Sequence, residues 1–238
     1  MSISMNTLIF ICCVFIIPTI LYYMDPPKLK VAIYYSGRIT QAMKCYEENM
    51  KNILKVGKTH DVVHFVSLNK SANQDDFIQK FKADFDIGDD QINIEETPPA
   101  DIDKQVRING NLNNMFSMFY HNQKCFDLIE AYQKKHNHSF DIIIKFRADI
   151  CSNDMLTLPS QIKDHTIYIP NCADWGGVND QIAYGNFASM KQYSQCVTHF
   201  KEIGQRARQY HPESVLKAHL HNSKLTIERF NFNYKLYK

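Results

Sequence analysis

Little in this chain points to nucleic acid, to zinc or to a glycine-rich nucleotide loop. The formal net charge is only +2 over 238 residues. That is too slight for the electrostatic footprint of a nucleic-acid-binding domain, and no basic helix with interleaved aromatics makes up for it. Of the seven cysteines, Cys12 and Cys13 sit in an apolar stretch. The others, Cys45, Cys125, Cys151, Cys172 and Cys196, are scattered, odd in number and without CxxC spacing. Neither a zinc site nor a disulfide framework is expected from them. GxGxxG and GxxxxGK[ST] are both missing, which removes the dinucleotide fingerprint and the P-loop. Glycine is scarce, eight residues against thirteen tyrosines and fifteen phenylalanines, and the chain is 45% hydrophobic. Such a composition buries a full core and excludes a disordered chain. There is no internal repeat.

Charge is absent altogether from residues 2–24, and 8–23 is almost continuously apolar. That length approaches the roughly 20 residues a spanning helix needs. A cleaved signal peptide is the competing possibility. However, no small-x-small site follows the run; Tyr22-Tyr23-Met24-Asp25-Pro26-Pro27 is bulky and then rigid. Tyr22 and Tyr23 suit an interfacial aromatic belt, and Pro18 is tolerated in lipid. Residues 1–29 are therefore expected to be an uncleaved single-pass anchor, in the membrane over 7–24, with a short stem. Orientation stays open. Lys28 and Lys30 after the span favour a cytoplasmic globule. The sequons Asn69-Lys70-Ser71 and Asn137-His138-Ser139 favour a lumenal one, as in the ER or Golgi.

Residues 30–238 are expected to form one α/β domain, a mostly parallel central sheet flanked by helices. Strands are expected over 30–35, 61–68, 91–95 and 166–170, with extended pieces over 225–230 and 232–237. Helices are expected over 40–55, 77–85, 111–135, 187–209 and from Pro212 to His221, and a polar loop over 97–110. Met115, Met118, Phe119, Phe126, Ile129 and Tyr132 trace the buried stripe of the longest helix.

Two stretches carry chemistry. FDIIIKFRAD, residues 140–149, has a β-branched apolar run fit for a strand buried on both faces. It ends with Arg147 and Asp149 two residues apart, pointing the same way beyond a strand end, where ligands of open α/β sheets bind. They suit a phosphate and a metal ion; the plainer alternative is an ion pair closing the strand. The second stretch is Asp174-Trp175-Gly176-Gly177-Val178-Asn179-Asp180, with the one tryptophan of the chain. Gly-Gly admits a close ligand, and Trp175 offers an apolar platform for a sugar face. The alternative is a tight loop with a buried Trp and an N-capping Asp180. Ser36-Gly37-Arg38, after the first strand, forms a small-residue turn from which Arg38 can reach a phosphate. Glu213, beside Pro212 at a helix start, reads as structural.

VAIYYSGR (31–38), FDIIIKFRAD, NDQIAYG (179–185) and HPESVLKAHL (211–220), in this order, resemble a GT-A-type glycosyltransferase, including small viral and bacterial sugar transferases. The resemblance covers most of the chain after the anchor. It implies a nucleotide-sugar across the carboxyl ends of the strands, with Ser36, Gly37, Arg38, Arg147 and Asp149 at the donor. It also implies Mn2+ or Mg2+ on Asp149, the last acid of a DxD motif whose first position is here Arg147. Trp175, Gly176 and Gly177 would then meet a glycan or glycoconjugate acceptor. Asp180, with Asp174 as the fallback, would be the base of an inverting transfer. The other classes weighed are a catalytically silent module of the same fold and a sulfotransferase. SGRIT, residues 36–40, fits the phosphosulfate loop of the latter poorly.

Overall fold

The computed structural model describes residues 28–37, 42–70, 74–102, 106–152, 154 and 156–236, and of 37 and 49–55 the backbone alone. The elements are β1 (Lys30–Gly37), α1 (Ala42–Thr59), β2 (Asp61–Asn69), α2 (Gln74–Phe85), β3 (Ile92–Glu95), β4 (Arg107–Ile108), α3 (Leu112–His136), β5 (Ile142–Phe146), β6 (Ile150–Cys151), β7 (Thr166–Pro170), β8 (Ile182–Gly185), α4 (Phe187–Ser194), α5 (Phe200–Ala207), β9 (Gln209–Tyr210), α6 (Pro212–Asn222), β10 (Thr226–Phe230) and β11 (Lys235–Leu236).

Seven of the strands form one sheet in the order β10-β7-β8-β5-β1-β2-β3. The pairs β5–β1, β1–β2, β2–β3 and β7–β10 are parallel, whereas β8 runs antiparallel to both β5 and β7. All five residues of β5 are buried, as its β-branched run requires of a strand covered on both faces. Alternation along β1 divides the core. Ala32 and Tyr34 pack with Met115, Phe119, Phe126 and Ile129 of α3. Val31, Ile33 and Tyr35 pack on the other side with Tyr46 of α1 and Phe77 and Phe81 of α2. A mostly parallel α/β sheet between helices is thus what the chain forms.

Several expectations need correction. The helix expected over 187–209 is broken into α4, a 3-10 segment at Gln195–His199, and α5. Ser194 and Thr198 donate their hydroxyls to the carbonyls of Lys191 and Gln195, three residues back, a local bond that competes with the α-helical ladder. The loop expected over 97–110 contains β4, paired in parallel with β9. Cys45 and Cys151 form a disulfide between α1 and β6, where no disulfide was expected. Sequence separation hid it: the partners are 106 positions apart. No helix among the described residues is long and apolar enough to cross a membrane. The expected span over 7–24 lies outside the described residues, as does Arg38.

Candidate active site

The site begins with the reversal of β8. Because β8 runs against β5, with Phe146 opposite Ile182, the residues entering β8 meet those leaving β5 at one edge of the sheet. The Arg147 amide donates to the Gln181 carbonyl at 3.1 Å. This brings Asp180 to Arg147, although 32 positions separate them in the sequence. The same edge holds the carboxyl ends of β1 and β2. A pocket of about 1200 Å3 opens there, lined among others by Ser36, Asn69, Arg147, Trp175, Asp180 and Glu213.

Lys145 lies on the floor. It interrupts an apolar strand and, by alternation, shares the face of Ile143. Only 1% of it is exposed, and its ammonium donates to the backbone carbonyl of Asp180. Burial pulls the Lys145 pKa down to about 8, although Asp180 holds it up. Arg147 follows on the same side. Burial works against its charge, but Asp149, through charge and hydrogen bond, together with Asp180 and Tyr234, raises its pKa above the ordinary value. The pair is a fork: Arg147 Nε donates to Asp149 Oδ1 at 2.6 Å and Nη2 to Oδ2 at 2.9 Å. Arg147 and Asp149 do point the same way, and the plainer expectation of an ion pair is met. Only Arg147 lines the pocket; Asp149 is the brace behind it.

This arrangement bears on the divalent metal. Both Asp149 oxygens are engaged by Arg147, and the side chain is only 8% exposed. No group of three His, Cys, Asp or Glu suited to a metal occurs among the described residues. The donor atoms that a resident Mn2+ or Mg2+ would need from Asp149 are already taken, so the residues present do not fit one there.

The glycine loop is fixed from three sides. Arg229 grips the Asp174 carboxylate through both guanidinium nitrogens at 2.9 and 3.0 Å. The Asn179 amide donates to Asp174 Oδ1 at 2.9 Å. Asp174 is therefore a loop anchor and does not line the pocket. Asn179, fully buried, donates to the Cys172 carbonyl and the Tyr234 hydroxyl, and its Oδ1 accepts from the Gln181 amide. Trp175 is 64% exposed and adopts a positive φ of 36°, uncommon backbone for a bulky residue. It is not the buried tryptophan of the alternative expectation. Gly176, at φ 87°, has open space around it. Gly177 serves packing: a Cβ there would stand 2.0 Å from the Glu213 backbone carbonyl. The Val178 amide donates to that carbonyl at 3.1 Å.

This contact brings in Glu213, which sequence reasoning assigned to the helix start alone. It does occupy the first turn of α6, but its side chain is buried and lines the pocket. Burial, and then the charge of Asp180, push its carboxyl up to about 7. A helix start favours the anion by well under one pKa unit, and burial can shift a group by several; here burial wins. Lys145 and Glu213 are the two site residues missed. For Lys145 a signal existed, a lone cation inside an apolar strand. For Glu213 there was none, since its neighbours arrive from distant segments.

Ser36 lines the pocket and donates to Asn122 Oδ1. Gly37 closes β1. The exposed Asn109, Asn111, Asn113 and Asn114 also line the pocket. A family model described as a domain of unknown function (DUF7796) matches residues 92–236, more than half of the chain. No curated protein matches it.

Proposed function

The chain belongs to the DUF7796 family, and from its pocket we propose a nucleotide-sugar-dependent glycosyltransferase of the GT-A kind, acting by inversion. The observation that carries this is the meeting of Arg147 and Asp180 in one pocket at the carboxyl ends of parallel strands. Ligands of open α/β sheets bind at that edge. At about 1200 Å3 the pocket exceeds the roughly 300–1,000 Å3 of a usual small-molecule site.

In this reading Arg147 and Lys145 face the donor diphosphate, and their charges stabilise the leaving group as the anomeric C–O bond breaks. Asp149 keeps the guanidinium in place. Asp180 takes the proton of the acceptor hydroxyl as its oxygen forms the new bond to the anomeric carbon. Asp180 lines the pocket, and one of its oxygens, Oδ1, is buried with no hydrogen-bond partner among the described residues. Trp175 and the asparagine amides suit an acceptor sugar, with its apolar face and hydroxyl edges. Nucleotide-sugar and glycan are the partners, with no nucleic acid. The Cys45–Cys151 disulfide supports an oxidising compartment, hence the lumenal rather than the cytoplasmic side of a membrane.

The test is Asp180→Asn. Binding of UDP or GDP by calorimetry is expected to stay near that of the parent, while transfer falls about a hundredfold or more. Equal loss of both removes the base role. Binding without turnover in the parent, across a panel of UDP- and GDP-sugars, would mark a silent module instead.

A further inference from the structure

Two carboxyl groups share the pocket floor, and the proposed transfer uses one. Glu213 is 3% exposed, as is Asp180. Asp180 Oδ1 and Glu213 Oε2 each lack a hydrogen-bond partner among the described residues. His211 Nδ1 stands 3.1 Å from Glu213 Oε2 but out of line for a hydrogen bond. A buried carboxyl oxygen without a partner is costly, and Glu213 lines the pocket where the substrates are to sit. The docking of Gly177 against the Glu213 backbone holds the residue in place.

We propose that Glu213, as a neutral carboxylic acid, binds a hydroxyl of the sugar being transferred, donating through its O–H and accepting through its carbonyl oxygen. This rests on the glycosyltransferase reading and adds the residue that recognises the donor's sugar rather than its nucleotide. Glu213 sits beside Asp180, the base, and within reach of the Arg147 and Lys145 charges, between the diphosphate and the point of attack. An ionised Glu213 would repel Asp180 and could no longer donate. The charged and titratable groups facing it are Asp180 ahead of β8, Lys145 and Arg147 at the end of β5, and His211 at the start of its own helix. Tyr193 of α4 is near enough to Asp180 that, after burial, the Asp180 charge raises its pKa. With the Glu213 carboxyl near 7, recognition of the sugar weakens as pH rises past neutrality.

The experiment measures the full chain with UDP-glucose, UDP-galactose and GDP-mannose against UDP and GDP, between pH 6 and 8.5. For the donor that binds, Glu213→Ala is expected to lower nucleotide-sugar affinity about tenfold and to leave the bare nucleotide's affinity unchanged. Glu213→Gln, which stays neutral, should bind within a few-fold of the parent at pH 6 and lose the parent's decline above pH 7. Infrared difference spectra should show a protonated carboxyl in the parent at pH 6 that Glu213→Gln lacks. Equal loss of nucleotide and nucleotide-sugar affinity in Glu213→Ala, a parent-like decline in Glu213→Gln, or no protonated carboxyl overturns the assignment and leaves the transferase reading standing. Failure of every nucleotide-sugar to bind the parent overturns both.

Discussion

Arg147 shows how a single side chain changes meaning with its neighbours. In the sequence it occupies the first position of an acid-x-acid motif, and in the fold it claims both oxygens of the acid that follows. A charge paired in this way is strongly oriented. Arg147→Ala is expected to weaken UDP binding by about tenfold to a hundredfold, with or without Mn2+, by calorimetry. Asp149→Asn should act in the same direction but less, since it only loosens the brace. Binding that depends on Mn2+ and on Asp149 but not on Arg147 would reverse these roles. Glu213 supports a prediction that needs no substrate. Its carboxyl is raised from 4.5 to about 7, so the folded chain keeps a proton that the unfolded chain sheds in that window. Folding stability therefore falls as pH climbs from about 4.5 through 7. Glu213→Gln removes that loss, and its melting temperature relative to the parent should be higher at pH 8 than at pH 5.

Among the elements, the loop from Asp174 to Asp180 and the start of α6 act as one unit, locked where Gly177 meets the Glu213 backbone. Gly177→Ala forces a clash of a Cβ against backbone and is expected to cost about 1–3 kcal/mol, with activity lost as Asp180 shifts. Gly176→Ala meets open space and carries only the strain of a positive φ. Urea unfolding should rank Gly177→Ala as the more damaging of the two. Element type was largely legible from the sequence. The apolar run of β5 and the stripe of α3 declared themselves, since each is long or strongly periodic. β8 did not: Ile182–Gly185 is four residues long and apolar without alternation. The whole site depends on its reversed direction, which no local pattern encodes. Arg147 and Asp180 were thus found as separate signals, and Lys145 and Glu213 acquire meaning only from the pairing that unites them.

At the scale of the molecule, the Cys45–Cys151 bridge closes a loop across 106 positions and ties α1 to the segment just after Asp149. Cys45→Ser is expected to lower unfolding free energy by about 2–4 kcal/mol. Reductant should shift the parent's denaturation midpoint by a similar amount and leave that of the variant alone. The C-terminal strand completes this corner, with Leu236 opposite Ile150 and the Tyr234 hydroxyl against Asn179.

The direction of β1 decides how the molecule presents itself. Lys30 stands at the end of the sheet away from the pocket mouth. The strand from Lys30 to Gly37, seven steps or about 23 Å at 3.3 Å per residue, lies between. A tether joined ahead of Lys28 therefore leaves the mouth facing outward, free to meet bulky molecules. Immobilisation by the leading end is the arrangement that keeps the protein open for assay.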